Sequence, residues 1–126
     1  MTVLNGGGMR VTDAVGRFGE QVAADHLTAE GLEVLDRNWR CADGELDLVV
    51  ADGCELVVVE VKTRRSTAFG TPAEAVTWRK LARLRRLAAA WLAAHDARPR
   101  SVRIDVVAIT VPRRGGLQVE HLKGVA

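Results

Sequence analysis

The chain has 126 residues, enough for one domain with a buried core and too few for two. Its 48% hydrophobic and 27% charged residues exclude a disordered chain, and no apolar run is long enough to span a membrane. The net charge of +2 is too small to favour any class of partner. The two cysteines form no Cys-x-x-Cys pair and the three histidines are scattered, so we expect no zinc site and a reducing, cytoplasmic location.

The N-terminal half is predicted to hold one helix and three strands. Residues 1–10 contain three consecutive glycines and are expected to be a flexible leader before a single domain over 11–126. A helix is predicted from Thr12 or Asp13, either of which can cap it, to Gly31, a typical C-terminal stop. Three strands are then predicted, over residues 32–40, 45–51 and 54–63.

The C-terminal half is predicted to add a helix and two strands. The helix begins either at Thr71-Pro72 or at Thr77 and runs to about residue 95. A strand over 101–111 and a short edge strand over 117–122 follow. The strand over 54–63 is apolar on both faces, which is typical of a central strand covered on both sides. The expected fold is therefore α/β, a mixed central sheet flanked by helices.

The hairpin between the second and third strands carries the main functional argument. If Asp52 and Gly53 are its two loop residues, Asp47 lies opposite Val58, and Glu45 lies opposite Glu60. Because side chains alternate along a strand, Glu45, Asp47, Glu60 and Lys62 then project from one face. The Asp47–Glu60 diagonal is short enough for one ion to reach both carboxylates. A three-residue loop would instead put Asp47 on the other face.

Acidic side chains gathered in this way favour a divalent cation. Like charges in partial burial repel, and oxygen ligands suit Mg²⁺ (or Mn²⁺). We expect Asp47, Glu60 and the carbonyl of Val61 to supply part of its shell. Lys62 would then orient or help to deprotonate a metal-bound water, or stabilise negative charge on a phosphorane. Each acid taken singly is better explained by a solvated strand end or an ion pair, and only Asp47, Glu60 and Lys62 together on one face favour a metal site.

Two further groups extend this site. Glu20 shares a helical stripe with the small residues Gly16 and Ala23, which would let the helix approach the sheet and bring Glu20 to the cluster as a metal or water ligand. The segment from Lys62 to Arg86 holds eight basic residues against one acid, a pattern that attracts phosphate backbones or forms a solvated helix face. Trp78, beside this basic helix, is interpreted as a packing residue or as a stacking partner for a base.

These motifs resemble a known family. Gly44-Glu45-Leu46-Asp47 followed by Glu60-Val61-Lys62 resembles the PD-(D/E)xK nuclease signature, with Leu46 where many members have proline. With Gly19-Glu20, Asn38-Trp39-Arg40 and the Arg103-Ile104-Asp105 strand, the chain is similar over about residues 15–109 to the YraN-like family of bacterial proteins.

The resemblance implies a restriction-endonuclease-like fold, akin to Holliday junction resolvases, and Mg²⁺-dependent phosphodiester hydrolysis. Its functional residues fall on Glu20, Asp47, Glu60 and Lys62, with the first three as metal ligands. The expected partner is nucleic acid, DNA before RNA and branched DNA in particular, bound by basic side chains, and a homodimer is expected by analogy alone. The basic side chains are Arg64, Arg79, Lys80, Arg83 and Arg86. The alternatives are a non-catalytic nucleic-acid-binding module and a protein-interaction module with the same fold.

Overall fold

The computed structural model describes residues 11–65 and 76–126, and the side chains from residue 14 onward. Its elements are two helices and five strands, in the order that the sequence predicts. They are α1 (Val11–Ala29), β1 (Glu33–Cys41), β2 (Gly44–Asp52), β3 (Glu55–Arg65), α2 (Trp78–His95), β4 (Ser101–Val111) and β5 (Gln118–Leu122). The expected leader and the earlier start for the second helix lie outside the described residues.

The strands form one mixed sheet in the order β1-β2-β3-β4-β5. All neighbours are antiparallel except β3 and β4, which run parallel over their full length, from Glu55↔Ser101 to Arg65↔Val111. A parallel pair needs a crossover, and α2 lies within it. The predicted α/β class and mixed sheet are confirmed.

The helices cover the two faces of the sheet. Ala23, Ala24 and Leu27 of α1 pack with Leu48 and other strand residues in one buried cluster. Leu84, Leu87, Ala88 and Trp91 of α2 pack in a second cluster on other strand residues. The central strand β3 contributes alternate side chains to both clusters, as its apolar sequence predicts. Within the described residues neither helix has the length and apolarity needed to cross a membrane.

Helix ends follow local chemistry. Thr77 caps α2, its hydroxyl accepting a hydrogen bond from the Lys80 N–H at 3.2 Å, which confirms the later of the two predicted starts for the described chain. Beyond α1, Gly31 has a left-handed φ of 94° and Leu32 N–H donates to the Leu27 carbonyl, so Gly31 ends the helix as predicted. Thr12 and Asp13, by contrast, lie inside α1 rather than capping it.

The predicted hairpin register is wrong by two residues. Asp52 pairs with Glu55, so Gly53 and Cys54 form the loop in place of Asp52 and Gly53. Gly53 occupies the first central position with a φ of 63°, the position at which a type II′ turn requires glycine. Because side chains alternate along a strand, a shift of two residues leaves each side chain of β3 on the same face of the sheet as before. The expected Asp47–Val58 and Glu45–Glu60 oppositions are replaced, but the hairpin still brings Asp47 to Glu60.

Candidate functional site

The site lies where β2 and β3 separate. Their paired residues run from Asp52↔Glu55 to Leu48↔Val59. One residue further along β2, the Asp47 side chain accepts a hydrogen bond from the Val61 N–H at 2.9 Å. The Asp47 carboxylate thus accepts the β3 N–H that a backbone carbonyl of β2 would accept in a regular ladder. The carboxylate of Asp47 is therefore fixed against the strand that carries Glu60 and Lys62.

Side-chain alternation along β2 breaks at Asp47. Leu46 packs in the α2 cluster, whereas Leu48, two residues later, packs in the α1 cluster. In β1, Arg37 pairs with Leu48 and Trp39 with Leu46, so the residue between them, Asn38, stands at the same level as Asp47. Asn38 has a φ of 51°, a left-handed conformation that Asn tolerates better than most residues. The irregularity places Asp47 between the groups that the two helices supply.

Helix α1 supplies Glu20 through a close contact at Gly19. A Cβ at Gly19 would collide with the Thr63 hydroxyl on β3, whereas a Cβ at Gly16 would meet nothing within 4 Å. Gly19 therefore lets the helix approach the sheet, and Ala23, fully buried in the same cluster as the strand residues, also packs there, whereas the expectation for Gly16 is wrong. Glu20 forms side-chain hydrogen bonds with Asn38 and Asp47, so it reaches the cluster as predicted.

The other side of Asp47 is occupied by Glu60 and two lysines. Glu60 is 9% exposed and interacts with the Asp47 carboxyl through a side-chain hydrogen bond. Its Oε2 lies 3.5 Å from Lys62 Nζ on the same strand. The same oxygen lies 2.7 Å from Lys80 Nζ on α2. Lys80, assigned from the sequence to the nucleic-acid surface, thus directs its ammonium at a site carboxylate, a contact between residues 20 apart that no local pattern reveals.

Burial first, and repulsion by the other acids second, raise the pKa values of Asp47 and Glu20. Burial raises the pKa of Asp47 to about 7, with Glu60 and Glu20 adding to the rise and the Val61 N–H opposing it. Burial also raises the pKa of Glu20, and the nearby Glu45 adds to that rise. The pKa of Asp47 is therefore raised although Lys62 and Lys80 lie on the neighbouring Glu60, because burial and the two acids outweigh the one backbone donor.

The two lysines respond in opposite directions. The pKa of Lys62 is lowered by its hydrogen bond with Lys80 and by burial, against the attraction of Glu60. Burial opposes the charge on Lys80, but its hydrogen bonds with Glu60 and Lys62 outweigh burial and raise its pKa. Lys80 is thus the stable cation beside Glu60, and Lys62 the amine that loses a proton more readily.

The three carboxyls form a row with Asp47 in the middle. Among the described residues, His26, Glu30 and His121 are the one group of three His, Cys, Asp or Glu side chains whose ligand atoms all lie within 4.8 Å of one another. Glu20 and Glu60 therefore contact Asp47 without converging on one point. Glu45, expected on the face of Glu60, instead pairs with Arg40 at 2.9 Å beside α1, because the alternation of β2 breaks at Asp47.

Three depressions surround this row, and each carries basic side chains. One of about 550 Å³ joins Glu20, Asp47 and Lys62 to Arg64. A second, of about 620 Å³, shares Gly16 and Glu20 with the first and adds basic residues that the sequence did not single out, Arg17, Arg37 and Arg40. The third, of about 470 Å³, is lined by four of the five predicted nucleic-acid contacts, Arg79, Lys80, Arg83 and Arg86. Trp78 is 79% exposed at the start of α2, so its assignment as a packing residue is wrong.

A second polar cluster lies on β4 and β5. Asp105 is fully buried and accepts two hydrogen bonds from the guanidinium of Arg103, at 2.8 and 2.9 Å. It also accepts the Gly124 N–H at 2.8 Å and lies 2.7 Å from His121 Nε2. Burial opposes the charge of Asp105, but these partners, Arg103 first, outweigh burial and lower its pKa.

His121 links this cluster to the end of α1. Its Nδ1 lies 2.9 Å from Glu30 Oε1, and His26 Nε2 lies 3.6 Å from Glu30 Oε2. The described residues therefore include a group that could hold a metal ion, although the sequence predicted no zinc site. The His26–Glu30 spacing of four was visible in the sequence, but His121 is 95 residues from His26 and only the fold brings it there.

Together these features define an α/β protein with an acid–lysine cluster at a gap in a mixed five-stranded sheet. Residues 19–109 match the family described as Uncharacterised protein family UPF0102. A UPF0102 protein of Beutenbergia cavernae is 68% identical, over 93% of this chain and 99% of its own length. Those of Frankia alni and Streptomyces coelicolor are 61% and 53% identical, over 92% and 100% of this chain and 97% and 100% of their own lengths. The chain belongs to the UPF0102 family, which confirms the YraN-like resemblance.

Proposed function

We propose that this protein is a metal-dependent hydrolase of nucleic-acid phosphodiesters, an endonuclease with branched DNA as its candidate substrate. The observation that carries the proposal is the meeting of Asp47, Glu60 and Lys62 at the gap between β2 and β3. Its resemblance to the PD-(D/E)xK signature supports the same assignment.

The donor set at the gap fits a hard divalent cation. Burial raises the pKa of Asp47 to about 7 and the neighbouring Glu60 and Glu20 add to the rise, and a cation would favour the charged carboxylate against both causes. Asp47, Glu60 and the carbonyl of Val61 would hold Mg²⁺ or Mn²⁺, with Glu20 acting through Asp47 or a water. When bound, the ion would supply the positive charge that the carboxylates lack and polarise the scissile phosphate.

Lys62 is the protein's own proton acceptor in this proposal. Its lowered pKa increases the fraction of neutral amine, which can take a proton from a water approaching the phosphorus. The water oxygen forms the new bond to phosphorus, and the leaving sugar oxygen departs with the electron pair of the broken bond and takes a proton from solvent. Lys80 keeps its charge beside Glu60 and is suited to stabilise negative charge on the phosphate oxygens.

The basic side chains offer a path for the phosphate backbone. Arg79, Arg83 and Arg86 lie at helical spacing on α2 and line one depression with Lys80, whose ammonium reaches the site. Arg64 lines the depression that contains Asp47 and Lys62. A strand that follows these side chains passes over the carboxylates. Trp78, exposed at the start of α2, can stack on an unpaired base.

The test is cleavage of labelled DNA by the purified full chain. Four-way junctions, flaps and single strands would be incubated with Mg²⁺, with Mn²⁺ and with a chelator. We expect metal-dependent cleavage that falls by about a hundredfold or more in Asp47→Asn and Glu60→Gln. Glu120→Gln, which removes an exposed carboxylate from β5, is the matched control and should cleave normally.

Other outcomes would contradict the hydrolase. Cleavage that survives Glu60→Gln would come from a contaminant. Salt-dependent DNA binding without cleavage by any metal would favour the binding module. Absence of DNA binding at low salt would favour the protein-interaction module.

A further inference from the structure

We propose that His26, Glu30 and His121 bind a borderline transition-metal ion, with Zn²⁺ as the reference ion, at a site separate from the carboxylate row. One ligand atom from each lies within 4.8 Å of the other two. Tetrahedral ligands about 2.1 Å from Zn²⁺ are about 3.4 Å apart, so small movements of these side chains complete the geometry. Neither the family resemblance nor the proposed hydrolysis assigns these residues a role.

The elements that carry the ligands are well placed for this. His26 is in the last turn of α1 and Glu30 directly follows the helix, where its N–H still donates to the His26 carbonyl, so the two side chains lie on one side of the helix end, where the helix carbonyls favour positive charge. His121 comes from β5 and is itself mostly buried, at 5% side-chain exposure. The side chains of His26 and Glu30 are about one-third exposed, at 34% and 36%, and leave an ion a route from solvent.

Asp105 gives this site the support that metal-binding histidines commonly have. It accepts from Nε2 of His121 at 2.7 Å, which fixes the ring and leaves Nδ1 as the ligand atom. Asp105 is in turn held by Arg103 and by the Gly124 N–H. The orientation of His121 is therefore set by a buried network rather than by Glu30 alone. Binding an ion at Nδ1 displaces its hydrogen bond with Glu30 and releases any proton held there.

The ligand set selects the class of ion. Two imidazoles and one carboxylate suit Zn²⁺, Co²⁺, Ni²⁺ or Cu²⁺, whereas Mg²⁺ prefers an all-oxygen shell. Glu20 lies within α1 and Glu30 directly follows its last residue, ten residues later, which is about 15 Å along the helix axis. A single ion cannot reach both places, so the two sites should differ in location and in metal preference.

The test is direct metal binding by the full chain, stripped with a chelator and kept reduced. Zn²⁺ would be titrated against a chromogenic competitor, and Co²⁺ would report the coordination by its visible absorption. We expect one equivalent to bind, with affinity at least tenfold weaker in His26→Gln and in Glu30→Gln. Both variants alter partly exposed side chains, and thermal melting without metal would verify that each folds.

Two control variants distinguish Zn²⁺ binding at this site from binding at the remaining histidine and at the carboxylate row. His95→Gln removes the remaining histidine, which stacks on Trp91 on α2, and should bind Zn²⁺ normally. The Asp47→Asn, Glu60→Gln double variant should also bind normally, so failure of the hydrolase would leave this site standing. A thousandfold excess of Mg²⁺ should not displace the ion.

The proposal is overturned by any of three results. These are no saturable Zn²⁺ binding by the wild-type chain, wild-type affinity in both His26→Gln and Glu30→Gln, or a loss of affinity in His95→Gln as large as in those two variants.

Discussion

Asp47 and Asp105 are aspartates on strands of one sheet, and their surroundings shift their pKa values in opposite directions. Asp105 is fully buried, but Arg103, His121 and a backbone N–H satisfy it, and its pKa is lowered. Asp47 has one backbone donor and two acidic neighbours, and its pKa is raised to about 7. Burial acts to raise the pKa of both, so the partners decide. A satisfied buried acid holds the fold together, whereas an acid left among acids marks a place for a cation.

The largest effect should come from Asp105. Asp105→Ala leaves the half-buried Arg103 and the buried His121 without their shared carboxylate. Breaking a buried pair in this way typically costs about 3–5 kcal/mol. We expect a fall of that order in the free energy of unfolding, measured with urea. Asp25→Asn, at an exposed position on α1, should change it little. A loss below about 1 kcal/mol for Asp105→Ala would contradict the structural role given to this residue.

The next largest loss of stability is expected at Gly19, where α1 approaches the sheet closely enough to bring Glu20 to Asp47. Gly19→Ala forces a methyl group against Thr63 on β3, and overpacking of this kind costs about 1–3 kcal/mol. Gly16→Ala is the matched control because its methyl group meets nothing, and it should be neutral or stabilising. Equal effects of the two substitutions in urea denaturation would mean that α1 does not depend on this approach.

Substitution of Asp47 is expected to increase the free energy of unfolding, by less than the losses above. In chelator, its folded-state pKa of about 7 exceeds the ordinary 3.8, so its contribution to stability is complete below pH 4 and disappears as the pH rises to about 7. Asn carries no charge, and Asp47→Asn should therefore be more stable than wild type at pH 8, by about 1–2 kcal/mol.

The difference between Asp47→Asn and wild type should narrow at pH 5, which paired melts at the two pH values would reveal. A variant less stable than wild type at pH 8 would show that Asp47 is satisfied, as Asp105 is. Added Mg²⁺ should stabilise only the wild-type chain.

The smallest effect concerns Lys80. Its ammonium lies on Glu60 and competes with any cation there, so Lys80→Gln should tighten Mg²⁺ binding roughly fivefold, or about 1 kcal/mol. Arg79→Gln removes a neighbouring charge from the exposed side of α2 and should leave Mg²⁺ affinity unchanged. Calorimetric titration of both variants would measure this. Weaker Mg²⁺ binding in Lys80→Gln would indicate that Lys80 shapes the site instead of competing for it.

Prediction from sequence succeeded where the signal was local. The strand Ser101–Val111 was predicted to the residue, because its apolar run is bounded by breakers. The hairpin was misplaced because Asp52-Gly53 and Gly53-Cys54 both offer glycine to a tight turn, at different positions of it. Because the register differs by two residues, which keeps the same side chains on the same face, the meeting of Asp47 with Glu60 is still predicted. Lys80 on Glu60 and His121 beside His26 were missed, since each contact joins elements that only the completed sheet brings together.

The parallel pairing of β3 with β4 has a consequence for how the protein folds. The β2–β3 hairpin needs only a two-residue turn, whereas β4 can join β3 only after the chain has closed a long crossover through α2. Asp47 and Glu60 can therefore meet early, before Lys80 arrives on α2. We expect the docking of this helix to be a late and slow event on the folding pathway, and the two acids to oppose each other until it occurs.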